Sequence, residues 1–269
     1  MKKEIYISWC EEIAQDKEAL KLIKKSKIIS GIELCNLNKD IELIKQAGLK
    51  VNIHNPLRNL HIGLEDRKFI QKMNSDKIKM CNQNDEEFIG FHAYYHPPNH
   101  ILYNFLSKLY FKKNISFLKK KINKKIIIES PPFMYRKERK NVSSPENVME
   151  LLKYVNGYLF DISHNFLTMK NLKNNGKDYR ENIIKVTKGK VMQMHLNCPL
   201  IKNEKYCDSH SIFNGRKYEK EVLDFAKEVL DNNLKLKVIT LEMTTNNSPK
   251  NHVKKLINQA VYLKEKLKI

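Results

Sequence analysis

Short apolar runs alternate with longer amphipathic runs along the chain. Eight of the short runs stand out: 3–9 (KEIYISW), 29–35 (ISGIELC), 50–54 (KVNIH), 88–93 (FIGFHA), 125–130 (KIIIES), 157–162 (GYLFDI), 190–196 (KVMQMHL) and 236–242 (LKVITLE). Each is brief and rich in β-branched or aromatic residues, which fit a pleated, buried surface. Most carry apolar residues on both faces, as strands do in a parallel sheet covered on both sides. The pattern predicts eight strands.

The stretches between them read as helices. Residues 11–27 and 38–48 place apolar side chains three and four apart. Residues 145–155 follow Ser144, a candidate N-cap, with Pro145 at the first helical position. Residues 216–232 and 248–266 are long and amphipathic, the second opening on Ser248-Pro249 in the same way. Strand and helix alternate with no Pro-, Gly- or Ser-rich linker. The expected architecture is therefore α/β, a single (β/α)8 TIM barrel domain over residues 1–269. An open doubly wound sheet is the competitor. It would be favoured by a glycine-rich phosphate loop, and neither GxGxxG nor GxxxxGK[ST] occurs in a chain with 8 glycines.

Composition narrows the class. Hydrophobic residues make up 41% and aromatics 9%, enough for a core and too much for a disordered chain. No apolar run approaches the ~18–20 residues that span a bilayer. The start, MKKEIYISWCEEIAQDKEAL, lacks an apolar signal region and a cleavage site, so the expected location is the cytoplasm, without a membrane partner. Five cysteines, an odd number with no CxxC, indicate neither a disulfide framework nor a zinc ribbon. Fifty basic residues against 30 acidic ones give a net charge of +20, which suits a polyanion such as nucleic acid. The excess is almost all Lys, spread over every amphipathic run and accompanied by many Ile and Asn, as codon bias alone would also produce. The arginines are Arg58, Arg67, Arg136, Arg139, Arg180 and Arg216.

In a barrel of this type, chemistry sits at the C-terminal ends of the strands. Those ends carry His54, His92, Glu129, Asp161 and His164, His195, the loop pair Asp208 and His210, and Glu242. Singly, each has an ordinary explanation: a hydrogen-bonded core histidine, a turn, a barrel salt bridge. Jointly, nine ionisable groups at one barrel mouth are costly without compensating charge. Divalent cations supply it. Imidazole and carboxylate are the ligands expected of zinc, manganese or iron(II), with no thiolate required. Nine ligands exceed one ion's needs and, with a bridging carboxylate, suit two or three.

These positions, with Phe160-Asp161-Ile162-Ser163-His164, His195-Leu196-Asn197 and Asp208-Ser209-His210, resemble in order and approximate spacing the trinuclear zinc site of the endonuclease IV family (AP endonuclease family 2), within the xylose isomerase-like TIM barrels. The resemblance runs from the first strand through the last helix. It implies that His54, His92 and Glu129 bind one metal, that Glu129 bridges to a second held also by Asp161, His195 and Glu242, and that His164, Asp208 and His210 hold a third. The implied cofactor is zinc, up to three ions, with manganese or iron as substitutes. The implied activity is hydrolysis of DNA 5′ to abasic sites by a metal-held hydroxide, with Glu129 and Glu242 as catalytic carboxylates and Glu242 orienting the nucleophile. The implied state is a monomer and the implied partner is DNA containing abasic sites. Arg58 and the basic run Arg136, Lys137, Arg139 and Lys140 are candidate phosphate contacts. Tyr94 and Tyr95 are candidates for base stacking, and His96, Pro97, Pro98 and His100 for a lid.

The chain departs from the family at several points. Cys198-Pro199 follow the strand-seven His-x-Asn where the family has Asp-Ser, and Asp208-Ser209-His210 stands for Asp-Arg-His. Ala93-Tyr94 follow His92 in place of Pro-Gly, and the loop after the second strand is reduced to Asn36-Leu37-Asn38. These changes fall on DNA-reading loops and spare the ligand set. An alternative within the superfamily is a sugar or sugar-phosphate isomerase or epimerase, with one divalent metal on Glu129, Asp161, His195 and Glu242 and a small sugar substrate. Glu33, closing Gly31-Ile32-Glu33, is in a sequence common among such relatives. A multinuclear iron oxidative enzyme ranks third, because those tend to carry Asn where this chain has His164. An inactive nucleic-acid-binding barrel is opposed by the complete ligand set.

Overall fold

A computed structural model describes residues 3–9, 16–34, 40–56, 66–93, 101–131, 143–172, 175–202, 205–213, 215–243 and 248–269, with the side chains of 9, 40, 66–68, 101–106 and 200–209 outside that description. Eight parallel strands form one sheet: β1 (Glu4–Trp9), β2 (Ile29–Leu34), β3 (Lys50–Ile53), β4 (Phe88–His92), β5 (Lys125–Glu129), β6 (Gly157–Asp161), β7 (Val191–Leu196) and β10 (Val238–Leu241). Their order is β3-β2-β1-β10-β7-β6-β5-β4. The two end strands meet through a parallel bridge between His54 and Gly90, where the Asn55 N–H donates to the Gly90 carbonyl at 2.7 Å. The sheet is thus a nearly closed (β/α)8 barrel, as the alternation predicts. Each predicted strand is found within two residues of its expected limits.

Ten helices wrap the sheet among the described residues. Ser144 caps the helix Pro145–Leu151, its Oγ accepting from Asn147 N, and Asp16 caps Lys17–Ser26. Ser248 precedes the helix Pro249–Leu267 as expected, but its side chain makes no capping bond. None of the helices is long and apolar enough to cross a membrane. The structure adds one element that the sequence pattern reads as a loop: an antiparallel hairpin of β8 (Cys198–Lys202) and β9 (Lys205–Ser211) directly after β7.

The strands are apolar on both faces for two different reasons. Outward residues such as Ile7, Ile32, Val51, Phe91, Ile128, Phe160, Met194 and Leu241 pack under the helices in the main core. Inward residues recur at every second position. At the N-terminal end of the barrel they are apolar: Tyr6, Phe88, Ile127, Leu159 and Val238 form a separate cluster. Further along the same strands they turn polar, through Glu33, Asn52, Gln193 and Thr240, and then become His54, Glu129, Asp161 and His195, all fully buried. The barrel interior is therefore plugged at one end and ionisable at the other. That second end is the C-terminal end of the strands.

Candidate metal centre

Local structure sets each side chain in place. Gly90 lacks the side chain that would crowd His54 across the barrel seam, since a Cβ there would lie 3.0 Å from His54 Cδ2. Asn55, next along, turns the chain with φ 41°, a left-handed conformation that Asn tolerates better than most residues. Parallel register sets His92 beside Glu129 and Asp161 beside His195. Asp161 ends β6 and caps the helix Ile162–Asn171, its Oδ1 accepting from His164 N at 2.6 Å. The Asp-x-x-His spacing is the first turn of that helix, and the cap leaves Oδ2 for the barrel mouth. In the hairpin, register shifts between Cys198 and Leu200, so that Asp208-Ser209-His210 form a bulge. His210 has φ 45°, and its Nδ1 comes 3.5 Å from Glu242 Oε2.

Three groups of ligand atoms converge, each with all atoms within 4.8 Å of one another: His54, His92 and Glu129; Glu129, Asp161 and His195; and Glu33, His54 and His195. Glu129 Oε2 lies 3.0 Å from His54 Nε2 and 3.3 Å from His92 Nε2, while its Oε1 lies 2.9 Å from His164 Nδ1. His195 Nδ1 faces three carboxylates, at 3.0 Å from Glu242, 3.8 Å from Glu129 and 3.8 Å from Asp161. The His54 ring packs edge-on against both His92 and His195, with centroids 4.8 Å apart in each case.

The electrostatics are those of a cation site. Burial opposes charge on Glu129, but His92, His164 and His54 outweigh it and hold the carboxyl well below its usual range. Glu242 is held low in the same way, against burial, by His195 and His210. Burial opposes the His195 proton, yet Glu33 and Glu242 raise this imidazole well above its ordinary value. Among the described residues, the groups that offset these buried carboxylates are the imidazoles beside them. Glu129 Oε2 and His195 Nδ1 are buried with no well-aligned hydrogen bond. Buried atoms of this kind call for a partner, and hard or borderline divalent cations match an imidazole and carboxylate donor set.

Of the nine sequence-predicted ligands, His54, His92, Glu129, Asp161, His164, His195, His210 and Glu242 are brought to this end of the barrel. Asp208 lies in β9, and its side chain is outside the described residues, so the group of His164, Asp208 and His210 is not assembled among them. Arg58, Arg136, Lys137, Arg139 and Lys140 also lie outside the described residues, as do Tyr94, Tyr95 and His96–His100. Sequence reasoning assigned no role to Glu33, whose Oε1 is 2.9 Å from His195 Nε2. Its signal was present: an acid at a buried inward position, two residues after Gly31, in the strand Ile29–Leu34. Asn52, Gln193 and Thr240, which surround the other Glu33 oxygen, were likewise unassigned.

No family model and no curated protein matches the chain. Solved structures match it along nearly its whole length. A D-tagatose 3-epimerase-like protein is 15% identical with a TM-score of 0.67, covering 98% of this chain and 99% of that one. An AP endonuclease, family 2, from Brucella melitensis is 12% identical with a TM-score of 0.65, covering 96% and 99%. A xylose isomerase-like TIM barrel protein from Mycobacterium smegmatis in complex with magnesium is 9% identical with a TM-score of 0.57, covering 98% and 97%. At these identities the likeness is one of fold, the TIM barrel.

Proposed function

We propose that the chain is a metal-dependent phosphodiesterase of the endonuclease IV type, with DNA containing abasic sites as its substrate and zinc as its metal. One observation carries this reading: Glu129 belongs at once to the group with His54 and His92 and to the group with Asp161 and His195. A carboxylate shared between two ligand sets suits a site for more than one cation, and a single ion on Glu129, Asp161, His195 and Glu242 leaves His54 and His92 outside its ligand set. Divalent ions bound there would supply Lewis-acid activation of water and neutralise the phosphodiester charge. The chain's own residues do the rest. Glu129 links the two ligand groups, its Oε2 lying nearest to His54, His92 and His195 while Oε1 faces His164. Asp161 and His195, fully buried, keep bulk water away from one face. Glu242 stands at the partly exposed rim beside His210, where its Oε2 can accept a hydrogen bond from the attacking water and align it. The fold shared with an AP endonuclease agrees with this reading.

A second reading has its own observation. The three carboxylates around His195 Nδ1 form the four-residue set that a one-metal sugar isomerase or epimerase would use. Metal analysis and incision separate the two. Purified protein should carry more than one divalent ion per chain. It should nick duplex DNA holding a single abasic site and lose that activity in EDTA. Zinc-loaded protein that leaves such a duplex intact would overturn the phosphodiesterase reading. One ion per chain with aldose–ketose interconversion would establish the second.

A further inference from the structure

We propose that Glu33 is a positioning residue that sets the ring tautomer of the metal-binding His195 across a close contact and biases that of His54 across a longer, electrostatic one. The inference rests on the reading of His54 and His195 as metal ligands. A neutral imidazole carries one proton, and the nitrogen that keeps it cannot bind a metal. Glu33 Oε1 lies 2.9 Å from His195 Nε2 and 3.7 Å from His54 Nδ1. On each ring that is the nitrogen turned away from the proposed metals: His195 presents Nδ1 to Glu129, Asp161 and Glu242, and His54 presents Nε2 to Glu129 and His92.

The direction of the His195 bond follows from the network below it. Glu33 Oε2 accepts from Asn52 Nδ2 at 2.7 Å, from Thr240 Oγ1 at 3.3 Å and from Gln193 Nε2. The other Gln193 amide proton goes to Thr240 Oγ1 at 2.9 Å, and Gln193 Oε1 accepts from Asn52 Nδ2. Asn52 Oδ1 in turn accepts from Asn84 Nδ2. Both Gln193 amide protons are therefore used, although that nitrogen also lies 3.3 Å from His195 Nε2. His195 Nε2 is left to donate, and Glu33 Oε1, 2.9 Å away but off the line of an ideal N–H bond, is the carboxylate oxygen beside it. Three donors hold the carboxylate by its far oxygen and aim the near one at the two rings. Carboxylate acceptors behind metal-binding imidazoles act in this way, fixing ring orientation and raising ligand basicity.

Glu33, His54 and His195 could instead be ligands of a deeper metal. With the upper sites filled, each imidazole would then bind metal through both nitrogens, as a doubly deprotonated ring. A proton kept on the nitrogen that faces Glu33 asks for no such deprotonation, and the 2.9 Å contact to His195 leaves room for it.

Long-range proton–nitrogen NMR on zinc-loaded protein with labelled histidine reads the tautomers directly. His195 should be protonated on Nε2 and His54 on Nδ1, and the opposite nitrogen on either ring overturns the proposal. Glu33→Gln, with unchanged circular dichroism, should lose ~10–100-fold in zinc affinity, and Glu33→Asp should recover part of it. Unchanged affinity and tautomers in Glu33→Gln would also overturn it. So would the loss of one whole zinc ion with the tautomers kept, because that would make Glu33 a ligand. Wild-type protein that takes up no divalent ion refutes the metal reading, whereas zinc uptake with the wrong tautomers refutes this inference alone.

Discussion

Gly90 stands where β3 and β4 close the barrel, and a Cβ there would come 3.0 Å from both His54 Cδ2 and Leu159 Cδ1. Leu159 belongs to the inner apolar cluster, so the ring is the softer neighbour. Gly90→Ala should therefore displace His54 from Glu129. The expected result is about a tenfold loss of zinc affinity, or ~1.4 kcal/mol, at an overpacking cost of about 1–3 kcal/mol. Titration calorimetry at matched temperature checks it, and unaltered affinity would show that the space serves packing only. Gly31→Ala is the contrasting case. Its Cβ would meet the Tyr6 ring at 2.6 Å and the Lys50 carbonyl at 2.7 Å, at the plugged end of the barrel. Backbone cannot step aside, so the damage there falls on stability, read as a lower denaturation midpoint.

At the scale of elements, the junction of β6 with the helix Ile162–Asn171 does two jobs through one residue. Asp161 Oδ1 caps the helix and Oδ2 faces His195. The two jobs can be separated. Asp161→Ser keeps a good cap and removes the carboxylate, so helix stability should hold within a few tenths of a kcal/mol while metal occupancy falls. Asp161→Ala removes both and should cost a further ~1 kcal/mol in stability. Metal analysis beside urea denaturation reads the two effects apart. Equal stability of the Ser and Ala variants would remove the capping role. The β8–β9 hairpin is the other element that matters, because its bulge carries His210 to Glu242.

Across the whole molecule, one end of the barrel concentrates Glu33, Glu129, Asp161 and Glu242 within reach of His54, His92, His195 and His210. A cation that binds this end only in the folded chain must stabilise the fold. Zinc at 100 times its Kd should add about 2.7 kcal/mol, which is several degrees in Tm for a chain of this length. Calorimetric scans before and after EDTA treatment test this, and an unshifted Tm would mean that the cluster holds no ion of consequence. The +20 charge carries less weight. Several lysines, among them Lys21, Lys153 and Lys170, sit in surface pairs with Glu18, Glu150 and Glu221, and such pairs contribute little.

Much of this was legible in the sequence. Brief β-branched runs, apolar on both faces, determine buried parallel strands, because such residues suit a pleated surface covered on both sides. Their number and alternation with helices determine the barrel. The rule that barrel chemistry sits at strand C-termini then picks out His54, His92, Glu129, Asp161, His195 and Glu242, whereas the helix cap at Asp161 was read only from the structure. The hairpin was not legible, since two short strands around Cys198-Pro199 and Asp208-Ser209-His210 look like turn sequence. Nor were the partners of Glu33. Residues 33, 52, 193 and 240 lie on four strands that come together only when the barrel closes. A sequence shows which side chains face inward, through the period of two. Which nitrogen of a histidine meets which oxygen depends on strand order, register and closure, and those are decided by the packing of the whole chain.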